Sequence, residues 1–215
     1  MADIIVAGNT SGSITIAAPA VAGSGTLTLP VATDTLIGKA TTDTLTNKSI
    51  AASQLTGTIA AAALPAGSVL QVVNYQTGAV ATGTALIPFD DTIPQITEGT
   101  QFLSLAITPI SATSKLYFNI VLMNSPSIID WVMTALFQGA TANAIASTMQ
   151  YSSVASASAP GIFTYFMTSG TTASTTFTVR AGMRLAGTTT INGQAGGRLL
   201  GGTLVSSITI TEIAA

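Results

Sequence analysis

Cysteine and histidine are both missing from this sequence of 215 residues. Without cysteine the chain has no disulfide, no thiolate nucleophile and no cysteine-ligated metal site. Without histidine it lacks the commonest general base and metal ligand, and a Ser–His catalytic triad is impossible. These absences exclude large classes of enzyme and metal centre. We therefore expect a protein that is not an enzyme and that has no metal site and no cofactor.

Charge is scarce as well. Only 7% of the residues are Asp, Glu, Lys or Arg, against about 25% in an average soluble domain. The basic residues are scattered, and they are Lys39, Lys48, Lys115, Arg180, Arg184 and Arg198. Nucleic-acid binding needs a concentrated positive face, so we do not expect it. The neutral composition suits a soluble domain with a hydroxyl-rich coat or, as we favour, a chain that buries surface against copies of itself.

Long apolar runs are absent. No stretch of about 18 consecutive apolar residues occurs, so we expect no membrane-spanning helix and no membrane insertion. The first ten residues, MADIIVAGNT, contain no Lys or Arg and no long apolar run. They do not have the pattern of a signal peptide.

Aromatic residues are missing from the first third of the chain. All twelve lie at Tyr75 or later. Aromatic side chains dominate the burial in most protein cores, and a small segment without them buries too little surface to fold alone. We therefore expect residues 1–74 to depend on partner chains or on a larger particle.

The patterns that are present are those of β-strands. GSITIAAP and GTLTLP alternate apolar and hydroxyl residues in the N-terminal segment. From about Gly67 the same alternation recurs in SVLQVVNY, QFLSLAITP, KLYFNIVLMN, TTFTVRAGMRL and SSITITEI, with turn formers between them. Many short alternating strands predict an all-β fold, either a β-sandwich or a jelly roll. Residues 128–138 fit helical and strand spacing equally, and their surroundings favour a strand. The segment Thr58 to Leu64 suits one helical turn or an extended stalk.

The candidate chemical groups favour structural interpretations. Asp90 and Asp91 are adjacent on the chain, so we interpret them as a solvated turn between two prolines rather than as a catalytic pair or a Ca²⁺ site. Trp131, the single tryptophan, suits either a core anchor or a platform on which a sugar stacks, and its apolar neighbours favour the core. The Gly-rich residues 194–202 suit a hairpin connection better than a phosphate-binding loop.

Short phrases in the N-terminal third resemble one family of proteins. TLTLP is followed by the doubled phrase TDTL, at 33–36 and again at 42–45, and the second copy continues as TDTLTNK. LTGTI then leads to GSVLQVV, and SSITITEIAA closes the chain. These phrases resemble the attachment segment, the stalk-to-head junction and the last strand of bacteriophage virion fibre and spike proteins. The resemblance covers most of residues 11–75.

The resemblance implies a homotrimer on the exterior of the phage particle, made in the host cytoplasm. Residues 1–30 would form an arm that attaches to a phage capsid or tail protein, and Ile4, Ile5 and Val6 would anchor it. Residues 31–66 would form an intertwined stalk, and residues 67–215 a β head. The predicted trimerisation residues are Leu27, Leu29, Leu36, Leu45, Ile50, Leu55, Ile59 and Leu64. Because little more than one stalk repeat is present, the sequence suggests a short spike.

Two functions remain open for such a spike. In the first, the head binds a host surface glycan or protein through loops at residues 76–84, 138–144, 152–160 and 187–197. In the second, it is a capsid decoration protein that fastens neighbouring capsomers. The sequence offers no ligand-contacting residue by name. A depolymerase is a third class, and we expect no such activity because no clear carboxylate pair is present.

Overall fold

The structure is a computed structural model that describes Ile4–Ala7, Ser13–Ile16, Ser49, Gly57 and residues 59–215. The chain divides into two compact units, Met1–Thr56 and Gly57–Ala215. In the first unit, strands β1 (Ile4–Ala7) and β2 (Ser13–Ile16) pair in antiparallel fashion. β2 lies where GSITIAAP predicted a strand. The strand prediction for GTLTLP falls outside the described residues, and the predicted boundaries at residues 30 and 66 stay predictions.

The second unit, called the C-terminal domain below, consists of strands and short turns. Two 3₁₀ turns occur, at Ala61–Ala63 and Leu200–Gly202, and the first falls within the segment expected to form a helical turn or a stalk. The strands are β3 (Val69–Thr77), β4 (Ala81–Gly83), β5 (Thr100–Ile107), β6 (Lys115–Leu122), β7 (Asn124–Pro126), β8 (Asp130–Gln138), β9 (Ala146–Ser152), β10 (Gly161–Thr168), β11 (Thr175–Met183), β12 (Thr189–Ile191), β13 (Gly193–Gln194), β14 (Gly197–Arg198) and β15 (Ser206–Ile213). The described residues contain no α-helix and no helix long and apolar enough to cross a membrane. The prediction of an all-β fold is confirmed.

Eight longer strands form two antiparallel four-stranded sheets. One has the order β10-β6-β15-β3 and the other β5-β11-β8-β9. Counted along the chain, the first of the eight strands pairs with the eighth, the second with the seventh, the third with the sixth and the fourth with the fifth. Side chains of both sheets meet in one core, where the rings of Phe118 and Phe177 pack edge to face at 4.7 Å.

Strand alternation determines which side chains reach this core. On β6 the alternation in KLYFNIVLMN predicts that Leu116, Phe118, Ile120 and Leu122 share one face, and all four are buried. The alternation in TTFTVRAGMRL predicts one apolar face from Phe177 to Leu185, and this holds as far as Met183, where β11 ends. Leu185 lies beyond that end and is exposed, so the prediction for this residue was wrong.

The ambiguous residues 128–138 are resolved by the sheet. β8 spans Asp130–Gln138 and lies between β11 and β9. A central position gives both edges of the strand a hydrogen-bonding partner, which outweighs any helical preference of the segment. The preference for a strand is confirmed.

The two ends of the domain differ. The chain enters the domain at one end, which we call the base. At the base, the Gly67 N–H donates to the Ala214 carbonyl, and four strand ends are aligned: Val69, Lys115, Thr168 and Ile213. We call the opposite end the tip. The long connections 78–99, 153–160 and 184–205 begin or end at the tip, together with the small sheet of β4, β12 and β7.

One long connection folds back over a sheet. Residues 84–99, called the covering loop below, lie on the outer face of β5-β11-β8-β9. Gly182 makes this approach possible, because a side chain there would meet the carbonyl oxygen of Ala85 at 2.6 Å and the backbone N of Ile87 at 2.8 Å. At the far end of the loop, Arg180 donates to the carbonyls of Glu98 and Gly99, each at 2.8 Å.

The outer face of the other sheet has no such cover within the described residues. Its exposed apolar side chains include Val72, Tyr117, Ile162 and Phe166. The four strands of this sheet contain two charged residues, Lys115 at the base corner and Glu212, which is fully buried. We call this surface the open sheet face.

Candidate functional site

Three aromatic rings form a continuous surface cluster at the tip. Phe89 of the covering loop stacks on Trp131 with ring centroids 5.3 Å apart and planes 26° apart. Trp131 contacts Tyr151, its partner in the register of β8 and β9, at 5.2 Å. Phe89 is 44% exposed, Tyr151 is 46% exposed and Trp131 is half-buried. We call these three rings the aromatic platform.

The prediction that Trp131 is a core anchor was wrong. Along β8, Val132 and Leu136 point into the domain, so Trp131 points to the outer face. Of the apolar neighbours that suggested the core, Val132 lies on the opposite face of the strand, and Ile129 precedes the strand and is itself exposed. The second interpretation of this residue, a platform on which a sugar stacks, stays a prediction.

A buried carboxylate holds an arginine beside the platform. Asp130 is fully buried, and its two oxygens accept hydrogen bonds from Arg184 Nε at 3.0 Å and from the Leu185 backbone N–H at 2.7 Å. The guanidinium of Arg184 lies 5.9 Å from the centre of the Phe89 ring. Asp130 therefore compensates the arginine charge and keeps the guanidinium against an aromatic face.

An open groove of about 500 Å³ adjoins the platform. It lies between the covering loop and the outer side chains of β8 and β9, and Phe89 belongs to both groove and platform. Its lining combines apolar side chains with hydroxyls and two carboxylates: Ile87, Pro88, Phe89, Asp90, Asp91, Thr92, Pro94, Met133, Ser147, Thr148 and Met149. A shallower extension of about 340 Å³ continues to residues 144–146.

The turn that carries the two acidic residues is stabilised locally. The Thr92 hydroxyl and the Thr92 backbone N–H both donate to Asp90, and these hydrogen bonds hold the pKa of that carboxyl below its ordinary value. Asp90 and Asp91 are exposed, so the prediction of a solvated turn is confirmed. The same turn lines the groove, which sequence reasoning missed.

The remaining carboxylates in the described residues have separate surroundings. Glu98 accepts from the Gln95 backbone N–H at 2.8 Å, and Asp130 is paired with Arg184. Glu212 lies at the base, at the opposite end of the domain from the platform. Within the described part of the chain, no three acidic side chains come together as metal ligands would.

The four predicted loops do not form one site. Residues 76–84 and 187–197 meet through the pairing of β4 with β12. Residues 152–160 reach them through β7, which pairs with β12 and whose Asn124 carbonyl accepts from the Ala159 N–H at 2.7 Å. Residues 138–144 lie at the base end of β8 and β9. The Gly-rich residues 194–202 form a hairpin connection ahead of β15, as predicted.

The predicted trimerisation and anchoring residues are described only in part. Ile4, Ile5 and Val6 lie on β1. Ile59 is 53% exposed in the single chain and Leu64 is half-buried. The other six predicted trimerisation residues fall outside the described residues: Leu27, Leu29, Leu36, Leu45, Ile50 and Leu55. Their roles stay predictions.

Comparisons with known proteins give only distant likenesses. No protein-family model and no curated protein matches the chain. Among solved structures, 68% of the chain aligns with 40% of the VP2 subviral particle of infectious bursal disease virus at 12% identity and a TM-score of 0.32. In a second comparison, 58% of the chain aligns with 19% of the enzymatically active domain of bacteriophage CBA120 tailspike protein 4, at 14% identity and a TM-score of 0.26. The chain spans less than half of either structure, and no functional assignment follows from similarity at this level.

Proposed function

We propose that this chain is a non-enzymatic structural protein of a phage virion, a short homotrimeric fibre or spike whose C-terminal domain binds the host cell surface. The observation that carries the binding role is the opposite placement of base and tip. The chain enters the domain at the base, while the long connections and the aromatic platform lie at the tip. A head anchored through its N-terminal side would present the platform away from the particle.

We infer further that the C-terminal domain is a jelly roll. The nested pairing of the eight long strands, first with eighth through fourth with fifth, is what results when one long hairpin is rolled into two sheets. Jelly rolls with eight strands in two Greek keys recur in viral capsid and lectin domains. Such a domain supports assembly and surface binding alike.

The open sheet face is where we place contact between heads in the trimer. It combines exposed apolar side chains with Thr, Ser and Asn, and Lys115 is its single charged residue at the rim. A symmetric contact brings identical surfaces close together, so a face almost free of charge avoids repulsion between copies. Val69 and Val72, on β3 near the base, are exposed on this face as well.

The N-terminal segment is the proposed attachment arm. Its phrases TLTLP and TDTLTNK resemble those of virion fibres, and its lack of aromatic residues suits a segment that packs along other chains. The partner would be a capsid or tail protein, and the assembled spike would stand on the exterior of the particle. Host-surface binding would then need no nucleic acid, membrane insertion or cofactor.

Adsorption measurements test this proposal. The purified full chain should sediment as a trimer of three 21.5 kDa chains, bind host cells and compete with phage adsorption. A monomer would contradict the trimer, and failure both to bind cells and to block infection would contradict the receptor role. If virions lacking the protein adsorb normally but burst more readily on heating, capsid decoration is the correct function instead.

A further inference from the structure

We propose that the aromatic platform and the adjoining groove form a binding site for an uncharged pyranose sugar of a polysaccharide or glycan. The ligand would cover the exposed rings of Phe89 and Tyr151, which lie against Trp131 between them, and extend into the groove. This inference deepens the proposed host-surface binding and rests on it for the source of the sugar. Binding of the sugar itself is measured separately below.

Ring exposure is the first argument. Tryptophan and phenylalanine usually contribute buried area, yet this chain places its only tryptophan and two further rings in series at the surface. Exposed apolar clusters rimmed by polar groups are typical of binding sites. A pyranose ring has an apolar C–H face and a rim of hydroxyls, so one face can cover an aromatic ring while the rim stays hydrogen-bonded.

The groove supplies partners for that rim. Asp91 offers carboxylate oxygens that can accept from hydroxyls, and Ser147 offers a hydroxyl that can donate or accept. The Thr92 hydroxyl donates its proton to Asp90 and can still accept. Met133 lies at the apolar floor and is almost fully buried. An apolar concave surface with a few polar groups at its rim is the usual composition of a small-molecule site.

The charge balance selects an uncharged sugar. In the described residues the one ion pair is that of Arg184 with Asp130, so the arginine charge is already compensated by a buried carboxylate. Asp90 and Asp91 line the groove without an ion-pair partner in the same part of the chain. Their negative charges would repel uronic or sialic acids. Neutral hexoses and N-acetylhexosamines carry no such penalty.

The single tryptophan makes the test direct, because its emission reports on the platform alone. The full chain would be screened on an array of immobilised neutral, uronic-acid and sialic-acid oligosaccharides. The tightest-binding neutral oligosaccharide would then be titrated in solution while Trp131 fluorescence is followed. We expect retention of neutral oligosaccharides, a saturable change in emission and no retention of the acidic ones.

Matched variants locate the site. Tyr151→Ala and Phe89→Ala should each weaken the Kd about tenfold or more, since truncating a central aromatic anchor commonly costs that much. Tyr75→Ala removes a tyrosine of similar exposure, 42% against 46%, from β3 of the other sheet. It should leave the Kd within about twofold. Trp131→Phe keeps a ring at the centre of the platform and should retain measurable binding on the array.

Several results would overturn the inference. It is wrong if no array sugar is retained, if only acidic sugars are retained, or if Tyr75→Ala weakens binding as much as Tyr151→Ala. Cell adsorption distinguishes this failure from that of the proposed function. Adsorption by the wild-type chain without retention of any array sugar would retain host binding and refute the sugar site. Sugar binding without adsorption would retain the site and refute the host-surface role.

Discussion

Glu212 provides the sharpest test of how the domain is held together at its base. It occupies a core-facing position of β15 and is fully buried. Oε1 accepts from the backbone N–H of Ile110 at 2.8 Å and of Ser111 at 3.2 Å, and from Ser114 Oγ at 2.6 Å. Oε2 accepts from Gln71 Nε2 and from the same Ile110 N–H. Four donors from two segments, β3 and the connection between β5 and β6, thus converge on one carboxylate.

Glu212→Gln keeps the shape of the side chain but removes its charge and replaces one acceptor with a donor. Hydrogen bonds to a charged group contribute about 1.5–3 kcal/mol each, against about 0.5–1.5 kcal/mol for neutral pairs. A loss of about 1 kcal/mol at each of four donors gives about 4 kcal/mol, part of which is offset because an amide is less costly to bury. We expect the free energy of unfolding to fall by about 2–3 kcal/mol at neutral pH.

The pH dependence follows from the same contacts. Burial raises the pKa of Glu212, but hydrogen bonds from Ser114, Gln71 and the Ile110 and Ser111 amides outweigh it and hold the pKa below the ordinary value of 4.5. The stabilisation is therefore complete above pH 4.5 and is lost as the pH falls through the lower pKa of the folded state. Glu212→Gln lacks this titration. The difference in stability between wild type and variant should be widest near neutral pH and shrink in acid.

Denaturant unfolding of wild type and variant is followed by circular dichroism at neutral pH and at about pH 3.5, at matched protein concentration. It measures the loss of stability in Glu212→Gln and the change of that loss with pH. Glu98→Gln is the control, because Glu98 is half-buried and accepts from one backbone N–H; we expect a change of about 0.5 kcal/mol or less. An equal difference at both pH values would refute the role assigned to the charge. The absence of any difference at neutral pH would refute the role assigned to the contacts.

Three further predictions concern the site and the trimer. Gly182→Ala should lower the free energy of unfolding by about 1–3 kcal/mol in denaturant titrations, because the added Cβ collides with the backbone of the covering loop. Gly197→Ala is the control: the nearest atom to an added Cβ there is 3.4 Å away, so its stability should stay close to that of wild type. Asp130→Ala should cost about 1–3 kcal/mol in the same assay, because it removes the hydrogen bonds that the buried carboxylate accepts from Arg184 and from the Leu185 backbone N–H, and unchanged stability would contradict this. Replacing Ile162 and Phe166 together with Lys should convert trimers to smaller species in sedimentation, and an unchanged trimer would place the contact elsewhere.

Strand positions were largely predictable because period-two alternation is local. The inward residues of β6 and the Ile208 and Ile210 pair of β15 follow from the order of apolar and hydroxyl residues alone. The burial of Glu212 follows the same alternation, but its donors come from distant segments of the chain. No local sequence pattern predicts that a carboxylate in a core position will accept hydrogen bonds from four donors.

The candidate site was not predictable in the same way. The pattern around Trp131 is apolar on both sides, and only the packing of the two sheets decides which face of β8 points inward. Phe89 and Tyr151 are 62 residues apart by subtraction of their numbers, and Trp131 lies between them in sequence and in space. The nearest local signal was the pair Asp90 and Asp91 beside Phe89, which indicated a turn and gave no indication of what that turn would cover.

By itself, the sequence determined the all-β class, the strand segments and the contrast between an aromatic-free N-terminal third and a core-forming remainder. These properties depend on composition and on the alternation of apolar and polar residues, because successive side chains of a strand point to opposite faces. The tertiary structure alone decided the pairing of the strands, the folding of residues 84–99 over one sheet and the assembly of three rings at the tip. Those features depend on long-range contacts, whose partners are chosen by the packing of whole sheets.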